Sequence, residues 1–256
     1  MAILRIVADK PALYRQAAAE FVRTAARAVK ERGRFAVALS GGTTPAGLYA
    51  VLAAEARLRG AVDWERTQAF WGDERQVPPN HQDSNYRMAR EVLLSKVPVP
   101  EANVHRIPGE IPDAAEAALR YEEELRATLG LTANELPRFD LVLLGLGADG
   151  HTASLFPGTE ALREKHRAVI ANWIDTLRAW RITLTVPAIN RARSVMFLVC
   201  GEDKAEAVKS VLEGPRNLKA LPARLIQPES GRMLWFLDRP AARLLEASAK
   251  RMWART

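Results

Sequence analysis

Phe35-Ala-Val-Ala-Leu-Ser-Gly-Gly-Thr-Thr-Pro45 sets an unbroken apolar run directly before a glycine turn and a proline. Five apolar residues bounded by turn residues read as a buried strand, Phe35–Leu39. Pro45 behind two threonines reads as the first turn of a helix running towards Leu58, with threonine as its cap. A strand that turns through glycines into a helix is the repeating unit of α/β architecture. The same alternation extends both ways along the chain. Upstream, Ile3–Val7 is a strand. Pro11–Lys30 is a helix with Leu13, Ala17, Phe21, Ala25, Ala28 and Val29 at helical spacing, stopped by Gly33. Downstream, Thr67–Trp71 is a strand and Gly72–Gln82 a polar loop. Asp83 or Ser84 caps a helix through Leu94. Pro98–Pro112 is a crossing with one short strand near Val104. Pro112–Leu129 is a helix with Glu122, Glu123 and Glu124 on its wet face. Phe139–Leu144, Arg167–Ile174, Arg181–Val186 and Ser194–Val199 are strands, and Lys204–Leu212 is a helix. Arg224–Ile226 and Met233–Leu237 are short strands, and Pro240–Met252 is a closing helix. The expected fold is a mainly parallel sheet flanked by helices.

With 256 residues and no linker, repeat or composition shift, one domain spanning residues 1–256 is expected. The single cysteine, Cys200, excludes a disulfide framework and a cysteine-based zinc finger. No apolar run approaches the ~18 residues a membrane span needs. No signal peptide is evident at the N-terminus, so the cytoplasm is the expected compartment. The net charge of +7 and pI of about 9.8 suit an anionic partner. The arginines are spread along the whole chain without interleaved aromatics, which reads as a soluble basic surface rather than a nucleic-acid site. No dimerisation motif is visible, so a monomer is expected.

In a parallel sheet, ligands sit at the carboxyl ends of the strands. Four loops qualify. After Leu39, Ser40, Gly41 and Gly42 let backbone N–H groups approach a ligand, and Thr43 and Thr44 add hydroxyls at a helix start that favours an anion. The P-loop lysine is missing, so this is not a nucleotide P-loop. After Trp71, Gly72-Asp73-Glu74-Arg75 offers a guanidinium for a phosphate and a carboxylate for sugar hydroxyls, or only a surface ion pair. After Leu144, Gly145-Leu-Gly-Ala-Asp-Gly-His151 contains a literal GxGxxG, with Asp175 downstream as a mimic of the ribose-binding acid. The dinucleotide fingerprint needs a long helix directly behind the glycines, and Pro157-Gly158 interrupts one. The chemical reading is His151 as a general base, with Asp149 fixing its tautomer or holding a substrate group. After Val199, Lys204 opens a helix against the dipole preference, as an anion ligand or as a solvated lysine. His81, His105 and His166 are scattered without ligand spacing, so no metal is expected.

These loops resemble one family. Ala38–Pro45 (ALSGGTTP), Trp71–Arg75 (WGDER), Asp83–Met88 (DSNYRM) and above all Gly145–Pro157 (GLGADGHTASLFP) look like the 6-phosphogluconolactonases. Arg181–Thr185, Gly201–Ala205 and Leu221–Arg224 match further segments. The resemblance implies a three-layer Rossmann-like sheet shared with the glucosamine-6-phosphate deaminases. It also implies hydrolysis of 6-phospho-glucono-δ-lactone in the oxidative pentose phosphate pathway without a cofactor. His151 would be the base and Asp149 its partner or a sugar ligand. Ser40, Gly41, Gly42, Thr43, Arg75 and Lys204 would hold the phosphate, Arg181 less centrally, and Asp73 would hold the sugar. The deaminases are the main alternative. Their histidine block carries a glutamate just before the proline, where this chain has Phe156, and an Asp-Glu-Tyr where this chain has Asp73-Glu74-Arg75. A non-catalytic sugar-phosphate sensor on the same scaffold is the third reading.

Overall fold

The computed structural model describes residues 2–132, 135–214 and 221–246. The strands are β1 (Ala2–Val7), β2 (Phe35–Leu39), β3 (Thr67–Trp71), β4 (Asp73–Arg75), β5 (Leu141–Leu144), β6 (Val169–Ile174), β7 (Ala179–Leu184), β8 (Ser194–Val199) and β9 (Arg232–Asp238). The helices are α1 (Lys10–Arg32), α2 (Thr43–Ala54), α3 (Ala56–Arg59), α4 (Asn85–Val92), α5 (Ala114–Leu129), α6 (Val186–Asn190) and α7 (Ala205–Glu213). Six strands form one sheet in the order β1-β9-β8-β5-β2-β3, every neighbouring pair parallel. The other three form an antiparallel sheet, β4-β7-β6.

Burial explains the sequence pattern. All residues of β2, β5 and β8 are buried, as strands covered on both faces must be. Helix α1 buries Leu13, Ala17, Phe21, Ala25 and Ala28 on one face. Asp9 caps it by accepting from the Ala12 N–H, and Gly33, at φ 74°, ends it in the left-handed conformation. From β2 the chain adds β3 on one side and β5 on the other, so the order reverses between β2 and β5. That crevice is where a parallel sheet opens to a ligand.

Several expectations are corrected. Helix α2 starts at Thr43, and its cap is Gly42 at φ 97°, not a threonine. A glycine cap has no side chain to satisfy the first N–H groups, which leaves them for a ligand. The helix expected to reach Leu58 breaks where Glu55 turns extended, and α3 is a separate turn. The Gly72–Gln82 loop contains β4, because Asp73–Arg75 pairs with Arg181–Thr183. Val104 makes one isolated bridge to Ala69 rather than a strand. Glu122 is buried, paired with Arg126 at 2.6 Å and accepting the Val169 N–H, so it does not face water. Arg224–Ile226 is not a strand. Pro222–Leu225 is a 3-10 turn, held by the Ala223 N–H donating to the Gly150 carbonyl. Residues 240–244 form turns, 245 and 246 are irregular, and the rest of the expected closing helix lies outside the described residues.

Candidate active site

Loops from both sheets surround one cavity of about 260 Å³ at the β2/β5 crevice. Ser40, Gly41, Gly42, Thr43, Asp73, Arg75, His151 and Lys204 all line it. Asp149 stands behind His151. Arg181 lines a neighbouring cavity instead, although β4 and β7 set it in register with Arg75.

The first loop is held by a tyrosine from α2. The buried Tyr49 hydroxyl accepts the Ser40 N–H and donates to the Ser40 carbonyl, both at 2.9 Å. It substitutes for ladder partners where β2 has ended and the turn begins. The neighbouring strand ends the same way: the Tyr121 hydroxyl accepts the Trp71 N–H at 2.8 Å and donates to its carbonyl at 2.9 Å. Two adjacent strands therefore enter the site with their last backbone groups fixed. At Gly41 a Cβ would lie 1.8 Å from Asn85 Oδ1, so any larger residue there must displace the Asn85 side chain.

The second loop is organised by carboxylates. Buried Glu74 accepts the backbone N–H groups of Arg75, Asn85 and Tyr86 and the Ser84 hydroxyl. Burial pushes its carboxyl up, against the pull of those hydrogen bonds. Glu74 thus anchors the start of α4 and places Asn85 against the cavity. Asn85 Nδ2 donates to the Asp73 carbonyl at 2.9 Å, and Ser154 Oγ donates to Asp73 Oδ2 at 2.7 Å. Arg75 donates to the Asp83 carbonyl at 2.8 Å and has no carboxylate within ion-pair distance.

The third loop carries His151. Gly147 donates to the His151 carbonyl and Gly150 to the Gly147 carbonyl, closing a tight turn. Gly150, at φ 79°, meets Leu221 so closely that a Cβ would lie 2.5 Å from its Cδ2. No long helix follows these glycines, as a dinucleotide site would need. His151 Nδ1 lies 2.6 Å from Asp149 Oδ1, and the His151 N–H donates to the same oxygen at 3.1 Å. Burial raises the Asp149 carboxyl, but the His151 N–H and imidazole outweigh it and hold the group below its ordinary value. An ionised Asp149 accepts a proton carried on Nδ1, so in the neutral imidazole this contact favours the tautomer whose lone pair is on Nε2. Phe156 stacks on the imidazole with ring centroids 4.1 Å apart, fixing the ring plane. Ala153, at φ 47°, lines the cavity in a conformation that costs a residue with a Cβ about 1–2 kcal/mol. In the fourth loop, Lys204 lines the cavity and pairs with Asp203 at 3.2 Å.

Sequence reasoning assigned no role to Asn85, Glu74, Tyr49 or Ser154, although all but Tyr49 fall in stretches quoted above. Tyr49 sits at core-helix spacing and carries no local signal, and for Asn85 the one signal was its place in the Asp83–Met88 stretch. Among the described residues, no cluster of three or more His, Cys, Asp or Glu side chains is arranged to hold a metal, and no helix is long and apolar enough to cross a membrane.

A family model described as glucosamine-6-phosphate isomerases/6-phosphogluconolactonase matches residues 8–235. The 6-phosphogluconolactonase of a Synechocystis species is 46% identical over 215 residues, covering 84% of this chain and 86% of that protein. The one from a Nostoc species is 44% identical over 214 residues, covering 84% and 86%. A solved 6-phosphogluconolactonase from Trypanosoma cruzi superposes with a TM-score of 0.85 at 31% identity, covering 96% of this chain and 98% of that one. The parallel sheet, the loops at its reversal point and these matches agree: the chain belongs to the family of glucosamine-6-phosphate isomerases and 6-phosphogluconolactonases.

Proposed function

We propose that the protein hydrolyses 6-phospho-D-glucono-1,5-lactone to 6-phospho-D-gluconate, the lactonase step of the oxidative pentose phosphate pathway. The observation that carries this reading is the Asp149–His151 pair at the wall of a cavity that also presents Arg75, Lys204 and an uncapped helix start. A base faces a cationic pocket, as a phosphorylated ester requires.

The lactone is an activated cyclic ester, so water needs only a base and an orienting site. His151 Nε2 takes a proton from water as its oxygen bonds to C1. The ring carbonyl becomes an oxyanion. The tetrahedral intermediate then collapses, the bond from C1 to the ring oxygen breaks, the imidazolium returns its proton to that oxygen, and the new C1 carboxyl loses its proton to solvent. A positioned base supplies about 10²–10⁴-fold, and fixing water against the carbonyl supplies more. The phosphate is assigned to Arg75, Lys204, Ser40 and the N–H groups of Gly41, Gly42 and Thr43. Asp73, held by Ser154 and Asn85, is assigned to a sugar hydroxyl. Arg181 is assigned no role in this cavity, because it lines the neighbouring one.

The deaminases carry a glutamate where this chain has Phe156, and here that position stacks an aromatic ring on the imidazole instead of offering a second carboxylate. The test is proton release from freshly generated lactone above the spontaneous rate, beside ammonia release from glucosamine 6-phosphate. Acceleration of the first alone supports the lactonase. Ammonia release identifies a deaminase, and silence in both favours a sensor; either defeats the proposal.

A further inference from the structure

A second cavity, of about 590 Å³, lies beside the first at the end of the β6–β7 hairpin. Its size falls within the range of small-molecule sites. Three of the four exposed large apolar side chains among the described residues stand together here: Trp173, Leu177 and Trp180. The two indoles face each other across the strands, edge to face with centroids 5.4 Å apart. The Trp173 indole N–H donates to Asp175 Oδ1 at 2.8 Å, which fixes its plane. A contiguous aromatic patch held in one geometry on the surface marks a binding site.

The charged lining is mainly cationic. Arg75, Arg178 and Arg181 line the cavity, and Asp83 is its sole carboxylate. None of the three arginines has a carboxylate within ion-pair distance. Arg75 and Arg181 donate only to backbone carbonyls, those of Asp83 and Trp180. Arg75 and Arg181 also sit in register on adjacent strands, with like charges side by side. Burial, and then the Arg75 charge, pull the Arg181 guanidinium below its ordinary value. Such a pair gains from an anion placed between its members. Arg178 is held at φ 48°, where an arginine is strained, and with Ala153 it is one of only two such non-glycine residues among those described. Ala153 lines the first cavity and Arg178 the second. Local strain of this kind collects at functional sites.

We propose that this second cavity binds a nucleoside phosphate, its base against Trp180 and Trp173 and its phosphate on Arg178 and Arg181. Indole faces accept any flat base, and adjacent guanidinium groups accept the phosphate that a base alone lacks. Arg75 lines both cavities, so an occupant whose phosphate reaches Arg75 withdraws it from the first. This coupling rests on reading the first cavity as the sugar-phosphate site. The binding itself does not.

The test is calorimetric titration of the full chain with AMP, adenosine and inorganic phosphate. AMP is expected to bind more tightly than either fragment. Trp180→Ala should weaken AMP about fivefold or more, the loss of one base stack. Trp180→Phe should restore part of it. Arg178→Glu should weaken AMP while leaving adenosine unchanged. The tryptophans and Arg178 lie on the exposed hairpin, so lactone hydrolysis without nucleotide should stay at the wild-type rate in all three variants, which also reports correct folding. In the wild type, AMP should raise KM and leave kcat unchanged. No saturable AMP binding at millimolar concentration would overturn the proposal. So would AMP binding no tighter than inorganic phosphate and indifferent to Trp180→Ala, since that is occupancy of the first cavity. AMP binding without a rise in KM would overturn the coupling through Arg75. The titration uses no lactone, so its failure is separate from failure of the lactonase reading.

Discussion

Tyr49→Phe removes one oxygen and no other heavy atom, at a site with 0% exposure. That oxygen satisfies both backbone groups of Ser40, each at 2.9 Å. Burial pushes the hydroxyl well above its ordinary pKa, so it remains a donor at any working pH. Leaving a buried donor or acceptor unsatisfied costs about 1–3 kcal/mol. Two such groups at one residue give about 2–4 kcal/mol, some relaxation included. At roughly 2–4 °C per kcal/mol for a chain this long, Tm should fall by roughly 5–15 °C. The functional consequence is separate. Ser40 precedes Gly41 and Gly42, so a loosened Ser40 blurs the N–H groups assigned to the phosphate. Those contacts hold ground state and transition state alike, so KM should rise several-fold while kcat changes little. Thermal melting and steady-state kinetics on the phosphorylated lactone read both effects. Tyr121→Phe is the internal control: it should lower Tm similarly through Trp71, with a smaller effect on KM. A Tyr49→Phe protein with wild-type Tm and KM would refute the idea that this hydroxyl sets the turn.

Asp149→Asn should lower kcat about 10²-fold, the lower end of what a positioned base supplies, because the imidazole loses its charged orienting partner. The Asp149 carboxyl is held low when folded, so its stabilisation is complete above the unfolded carboxylate value and is lost as pH falls through the lower folded one. The substitution should therefore flatten the acid side of a plot of urea midpoint against pH; an unchanged acid side would contradict the pairing. Gly41→Ala should raise KM and lower Tm, because its Cβ meets Asn85 Oδ1 at 1.8 Å and displaces it. Wild-type values for both would show that Asn85 yields freely. Burial, ahead of the Asp238 charge, pushes the Cys200 thiol up to about 12. It should resist iodoacetamide at pH 8 in the native state, and Cys200→Ala should keep full turnover; rapid alkylation would contradict its burial.

The parallel sheet was legible because its strands are buried on both faces and read as apolar runs between glycine turns, as at Phe35–Leu39 and Leu141–Leu144. The antiparallel sheet was only partly legible. Asp73–Arg75 has three ionisable side chains and no alternation of apolar residues. It is a strand because of pairing with Arg181–Thr183, far along the chain. Glu122 carries the same lesson. Its charge predicts exposure, yet the partners that allow its burial, Arg126 and the Val169 N–H, lie partly in β6. The cavity-lining loops were legible from strand exits alone. Their supports were not, since Glu74, Asn85 and Ser154 act through contacts between separate loops. Arg181 shows the converse limit: its side chain lines the second cavity, which it shares with Arg75, and only Arg75 also reaches the first.

The central claim is that His151 is the base and the remaining cavity is the binding site. The most direct measurement compares wild type with His151→Ala for kcat on the phosphorylated lactone and for calorimetric affinity towards 6-phosphogluconate. The account predicts a fall in kcat of about 10²–10⁴-fold with product affinity retained within a few-fold. A variant that keeps most of its turnover, or that loses product affinity as steeply as turnover, would contradict it.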